Sequence, residues 1–296
     1  MTQISLNQTV IMSGVDYFDD QAAINPFMDA SVAIDREQAA HEHRAIQAAF
    51  ESAGITVHKV DPPVDCQDGV YAANWGLERN GTVVLASLPN ARKGEEPYAE
   101  QIFTQQGKTV VHVPDGLHFS GQGDALPCGN LLFCGSGYRS DAKAQAFVAE
   151  TLGYERIQLQ TIPERDENGQ PVINSYSGWP DSFFYDIDLA LSILKAPQGD
   201  QKGLIAWCPD AFMPESQEIL RNLDTVDKIE VSYRDATEVY ACNLVSTGEH
   251  VIMNQGAAEF EAALREHGLT PVTLSNTELA KGGGSIRCTS VTVSNT

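Results

Sequence analysis

Cys288 is the residue with the most chemistry to offer. It stands in KGGGSIRCTSVTV at 281 to 293, where a glycine-rich turn runs into a β-rich stretch. Three glycines let a backbone approach a ligand closely. A guanidinium from Arg287 lying near the sulfur would favour the thiolate, the nucleophilic form. A buried structural cysteine fits the same pattern, so Cys288 needs partners before it reads as a nucleophile. The histidines offer no metal constellation with Asp or Glu at ligand spacing. GSGYRSD at 135 to 141 and the glycines at 282 to 284 match neither phosphate-loop pattern. No metal or nucleotide cofactor is expected.

The wider composition narrows the function classes. The 296 residues carry 40 Asp plus Glu against 19 Lys plus Arg, a net charge of −21, which argues against nucleic acid as a partner. At 42% hydrophobic and 20% charged residues the chain is globular and large enough for a sizeable core. The N-terminal stretch lacks the basic start and apolar run of a secretory signal, and the apolar stretch at 183 to 194 carries two aspartates, so no membrane association is expected. Six scattered cysteines without a CxxC pair fit reduced thiols and a cytoplasmic location.

The elements that must position Cys288 show a period. A helix-like stretch, a glycine and a short β-rich run recur at AGITVHKV, QGKTVVHV, LGYERIQL and HGLTPVTL, with Gly54, Gly107, Gly153 and Gly268 where a helix C-cap needs a left-handed residue. SQEILRNLDTVDKIEVS at 216 to 232 is a fifth copy without the glycine. Hairpin signals lie between them at Asn80-Gly81, Gly129-Asn130 and Thr247-Gly248. Each unit reads as two strands, a helix and a strand, and five units of about 60 residues fill the chain. An α+β sheet protein with coincidental caps is the alternative. The stretch 163 to 182 reads as a long surface loop within a module. The aromatics Tyr176, Trp179, Phe183, Phe184 and Tyr185 around it suit core and rim packing, or a lid over the site.

Seven segments in order carry a resemblance: INPFMD, QDGVYAANWGL, ARKGEEPYAE, FSGQGDAL, GSGYRSD, FFYDIDLAL and the Cys288 segment. The series resembles the guanidino-group-modifying superfamily of arginine deiminases, dimethylarginine dimethylaminohydrolases, amidinotransferases and arginine dihydrolases over nearly the whole chain. The resemblance implies an α/β fold, a five-bladed pseudosymmetric propeller (pentein) of ββαβ modules, with residues 1–296 as a single catalytic domain. It also implies a hydrolase that attacks the guanidino or ureido carbon of arginine or a derivative through a covalent cysteine intermediate. Cys288 matches the nucleophile. Arg92, in an R-x-x-E segment, and Arg139, in GYRSD, match the arginines that bind substrate carboxylate. Asn74 stands where deiminases place an Asp against the guanidinium. Asn25, Asp68 and Asp124 match polar pocket positions, although Asn25 before Pro26 and Asp68 before Gly69 also suit turns. A small guanidino or ureido molecule is the expected partner, and a homodimer the expected assembly.

Two departures qualify this. Where relatives carry a catalytic His in H-x-D, this sequence reads Asp186-Ile187-Asp188, and where they carry Glu in E-G-x-G-D it reads Ser120-Gly121-Gln122-Gly123-Asp124. An Asp replaces a His as proton donor only if its pKa rises by about 3 units, to which a second carboxylate on the same strand face would contribute. His118, two residues before Ser120 and on the same face of a strand, is expected to exchange roles with Asp186. The alternatives are a catalytically silent propeller that binds a guanidino or amino-acid ligand, and an amidinotransferase.

Overall fold

In the computed structural model, residues 5–29, 31–88, 92–175 and 178–295 are described. Five three-stranded sheets are built to one plan. The first holds β1 (Thr9–Met12), α1 (Arg36–Ser52) and β2 (Thr56–Lys59); the second β3 (Gly76–Arg79), β4 (Thr82–Leu85), α2 (Glu95–Gln105) and β5 (Thr109–His112). The third comprises β6 (Ala125–Cys128), β7 (Leu131–Gly135), α3 (Ala142–Leu152) and β8 (Glu155–Leu159). The fourth runs β9 (Leu191–Lys195), β10 (Gly203–Trp207), α4 (Pro214–Asn222) and β11 (Val226–Glu230), followed by the short α5 (Tyr233–Glu238). The fifth is β12 (Val245–Ser246), β13 (His250–Asn254), α6 (Ala258–Glu266) and β14 (Thr270–Leu274), and α7 (Glu278–Lys281) leads to β15 (Ser290–Thr292).

In the last four sheets the first two strands form an antiparallel hairpin, and the strand after the helix pairs in parallel with the middle one. The first sheet takes its hairpin partner from the far end of the chain: β15 pairs antiparallel with β1, Val10 opposite Thr292. Segments from opposite ends of the sequence thus complete one module. Middle strands such as LLFCG and GLIAW are buried along their whole length because both faces are covered; outer strands such as TVHK are largely exposed. The left-handed conformation at Gly54, Gly107, Gly153 and Gly268 (φ +86°, +72°, +71° and +72°) ends four helices where the sequence predicts. All five expected helix-to-strand junctions and all three expected hairpins are present. The α/β class therefore holds, with five small sheets.

A recurring position matters for function. Asn74 stands two residues before β3, Asn243 two before β12 and Cys288 two before β15, while Asp186 and Asp188 lie in and beside the tight turn 187–189 that precedes β9. The same end of four modules therefore carries Asn74, Asn243, Cys288, Asp186 and Asp188. Among the described residues no helix is long and apolar enough to cross a membrane. All six cysteines are unpaired.

Candidate active site

The loop bearing Cys288 is held from several directions. Glu42, buried on α1, accepts from the backbone N–H groups of Thr277, Glu278 and Leu279 and so fixes the start of α7. Three buried tyrosines then tie down the turn that follows. The hydroxyls of Tyr71, Tyr240 and Tyr185 donate to the carbonyls of Leu279, Ala280 and Gly283 at 2.6, 3.0 and 2.6 Å. Gly283 (φ +84°) lies so close to Asn25 that a Cβ there would come within 2.5 Å of its side-chain oxygen. Asn25 in turn donates to the Gly282 carbonyl at 3.0 Å, while its Oδ1 accepts from Phe27 N in an Asx turn. Asn25 thus joins the 20s loop to the glycine turn, both a turn residue and a wall of the site.

Cys288 is 3% exposed. Its Sγ lies 3.4 Å from Asp188 Oδ2 and accepts from Asn243 Nδ2 at 3.2 Å, and its own N–H donates to Asn243 Oδ1 at 3.3 Å. Burial first, then the neighbouring Asp188 carboxylate, pushes the thiol well above its ordinary range. The expectation that Arg287 favours the thiolate meets a different geometry: its guanidinium donates to Gln122 Oε1 and the Ser290 carbonyl. Burial likewise pushes Asp188 up to about 8, with Asp186 contributing and Arg287 opposing. Both shifts favour the neutral forms of sulfur and carboxyl in the empty site.

The second wall is built on Asn74. Its Oδ1 accepts from Arg92 at 2.7 Å, and its Nδ2 donates to Ser120 Oγ and O, each at 2.9 Å, and to Asp186 Oδ2 at 2.8 Å. Arg139 approaches the same Asp186 oxygen at 3.5 Å and lies 3.8 Å above the Tyr185 ring. Asp124 accepts from Ile187 N at 3.1 Å and is pushed well up by burial and by Asp186. Asp68 is raised to about 6, chiefly by burial, with Arg92 opposing.

Three expectations are corrected. Asp186 and Asp188 do not share a strand face: the 3-10 turn at 187–189 sends Asp186 toward Asn74 and Arg139 and Asp188 toward the sulfur. His118 is not on a strand beside Ser120. It lies in a loop next to the single bridge Phe119–Ser87, its ring edge-on to Trp179 at 4.9 Å, and it makes no hydrogen bond or ion pair with Cys288 or Asp186. Arg92 is not free to hold a carboxylate: Glu95 takes two of its N–H groups at 2.7 Å, and Asn74 and the carbonyls of Asp68 and Tyr71 take others. Tyr176 lies outside the described residues. The loop at 163–182 is stitched by bridges at 165–171 and 173–180, and Phe27 stacks on Phe183 at 4.1 Å beside it.

Sequence reasoning missed Asn243 and the tying role of the tyrosines. The repeat held the signal for Asn243, since ACNLVS places it in the same register before its strand as Asn74 and Cys288 hold before theirs.

Comparison with known proteins fits this geometry. Residues 17–173 match the family described as N,N dimethylarginine dimethylhydrolase, eukaryotic. The chain is 31% identical over 276 residues to the N(G),N(G)-dimethylarginine dimethylaminohydrolase of Mycobacterium tuberculosis, covering 92% of this chain and 81% of the relative. It is 29% identical to the bifunctional arginine dihydrolase/ornithine cyclodeaminase ArgZ of Synechocystis, of which it spans only 37%. The solved N-terminal domain of an ArgZ variant, covalently bound to a reaction intermediate, superposes with a TM-score of 0.84 at 27% identity, covering 97% of this chain and 98% of that one.

Proposed function

The chain belongs to the dimethylarginine dimethylaminohydrolase family within the guanidino-group-modifying superfamily, and from that premise we propose that it hydrolyses a C–N bond at the guanidino or ureido carbon of arginine or an arginine derivative, with Cys288 as nucleophile. The observation that carries this is the buried sulfur held 3.4 Å from the Asp188 carboxyl, behind a glycine turn that three tyrosines tie down. The five like-built sheets, whose first is completed by β15, are read as the blades of one propeller domain spanning residues 1–296. The six unpaired cysteines support a cytoplasmic location, and family resemblance alone supports a homodimer.

A guanidinium entering between Asp186 and Asp188 supplies the missing positive charge. It favours the carboxylate and the thiolate together, so the substrate itself arms the site. The proton that Asp188 holds in the empty site leaves to solvent as the cation enters. The thiol proton then passes to the freed carboxylate, the thiolate forms a C–S bond, and the C–N bond breaks as the amine leaves with that proton. Water then attacks the same carbon, the C–S bond breaks with its electron pair returning to sulfur, and a ureido product is released. Arg139, stacked on Tyr185 and held at 3.5 Å by its two polar contacts, has guanidinium donors to offer the substrate carboxylate. Burial of Cys288 behind the glycine turn that the tyrosines hold keeps bulk water off the sulfur.

Intact-protein mass spectrometry with arginine, citrulline, dimethylarginine and agmatine, alongside assays for ammonia, methylamines and ureido products, tests this. A covalent adduct and product that vanish in Cys288→Ser are expected, a loss of at least about three orders of magnitude. Amidino transfer to an added amine in place of hydrolysis would make the protein an amidinotransferase. Asp186 and Ser120, standing where relatives carry His and Glu, favour one second reading, a silent ligand-binding protein. Ligand binding without adduct or product at any pH would establish it.

A further inference from the structure

Asn243 is fully buried, and its amide meets Cys288 at two atoms. The Cys288 N–H donates to Oδ1 at 3.3 Å, while Nδ2 donates to Sγ at 3.2 Å and to the Asp188 carbonyl at 3.4 Å. This orientation is forced. A backbone N–H can only donate, so the amide oxygen must face it and the NH2 group must face the sulfur. The backbone holds the residue in place independently of its side chain: Asn243 N donates to the Tyr240 carbonyl at 2.9 Å, and the Asn243 carbonyl accepts from Arg287 N at 3.4 Å. The other candidate donors are turned elsewhere, Arg287 to Gln122 and the Ser290 carbonyl, and Arg139 to Asp186 and Ile24. Burial, Asp188 and Asp186 oppose ionisation of the sulfur, while the Ser285 N–H and the Asn243 amide favour it. Tyr71, Tyr185, Tyr240 and Arg287 complete the titratable groups around it.

We propose that Asn243 is a catalytic residue whose Nδ2–H carries the negative charge of the Cys288 sulfur, before attack and again when the C–S bond breaks. The inference rests on the hydrolase reading for its purpose but on the amide geometry for the contact. In the first half of the reaction the thiolate gives an electron pair to the guanidino carbon, and the N–H to sulfur bond weakens. In the second half the C–S pair returns to sulfur, and the same N–H meets it again. The donor moves no proton of its own. A neutral amide suits both halves, because it favours the thiolate without a positive charge that would repel an incoming guanidinium. A guanidinium turned onto the sulfur, as Arg287 would be, lacks that property.

The test reads the sulfur without substrate and without altering Cys288 or Asp188. Asn243→Ala and Asn243→Leu both remove the donor, and the two backbone bonds of residue 243 survive either change. Ala opens space beside Cys288 whereas Leu fills it, so access of a reagent to the sulfur differs between them while the loss of the N–H is shared. The measurement is the rate of Cys288 alkylation by iodoacetamide at pH 8, followed by peptide mapping, with Tm recorded for each variant. Both variants should react about tenfold more slowly than wild type, the effect of one unit on the thiol's ionisation, and kcat should fall at least as far. An amide that only shapes the turn would lower Tm and leave alkylation unchanged, and that result overturns the proposal. Opposite changes in Ala and Leu, the signature of access alone, also overturn it. Slower alkylation in a protein that makes no product removes the hydrolase reading and leaves the donor at the sulfur. Turnover in wild type with unchanged alkylation in the variants removes the role of Asn243 alone.

Discussion

Arg92 and Arg139 begin as equals, two arginines matched to the same task, and end in opposite environments. Arg92 sits in a closed knot whose donors are spent on Glu95, Asn74 and two carbonyls at 2.7 to 3.1 Å. Arg139 is as buried, at 6% exposed, yet its two polar contacts are both 3.5 Å and its main support is the face of Tyr185. The same contrast divides the carboxylates. Glu95 has both oxygens used, by Arg92 and by Trp75 Nε1, whereas Asp186 and Asp188 each keep a buried oxygen with no protein partner. A saturated cluster holds a fold together; an unsaturated one is built for something that arrives later.

The contrast is sharpest at Asp188. Asp188→Asn removes the group that takes the thiol proton and should lower kcat by about 10² to 10⁴. Stability should move the other way. Below about pH 4 the folded and unfolded chains both hold the Asp188 proton; from there to about 8 only the folded chain does, so folding weakens as pH rises through that window. Asn has no proton to lose, so the variant should melt higher than wild type at pH 8 and show a flatter dependence of Tm on pH. A variant that melts lower at pH 8 would show that Asp188 is structural.

The paired arginines break the comparison at the next scale. Arg92→Ala leaves Glu95 buried without its partner, which costs about 3–5 kcal/mol and should lower Tm by roughly 10 °C. Arg139→Ala should leave Tm within a few degrees and raise KM for a carboxylate-bearing substrate about 10- to 100-fold, with little effect on agmatine, which lacks the carboxylate. Equal Tm losses in the two variants would erase the distinction.

What the sequence made legible follows from the range of each signal. The five junctions and three hairpins are local, written in glycine caps and turn pairs, and the structure carries all of them. The hairpin between β9 and β10 turns at Gly199-Asp200, bracketed by the Gln198–Gln201 bridge, so its dipeptide is as local a signal as the other three, although it is not among the three expected hairpins. Site residues obey longer-range rules. Asn243 meets Cys288 across 45 residues, and only its register in the repeat connects the two. The R-x-x-E spacing that marks Arg92 also places Glu95 within reach of it, so the motif concealed the partner that occupies the arginine. Strand alternation predicts a shared face for Asp186 and Asp188, but the chain makes a tight turn there, and one residue of backbone geometry decides which carboxyl meets the sulfur.

His118 supplies the smallest expected effect and the last discrimination. Its backbone is tied on both sides to Asp141, with His118 N donating to Asp141 Oδ2 at 2.8 Å and Asp141 N to the His118 carbonyl at 2.9 Å. Those bonds survive any change of side chain. The ring packs on Trp179, in the stitched loop, and so belongs to the wall of that loop instead of the reacting centre. His118→Ala should therefore change kcat by less than about threefold and leave the pH profile of kcat/KM in place, since a general acid would cost about 10²-fold or more. A hundredfold loss with the acid limb of the profile removed would return His118 to the chemistry. It would require the 118 loop to swing toward Cys288 when substrate binds, carrying Trp179's contact with it.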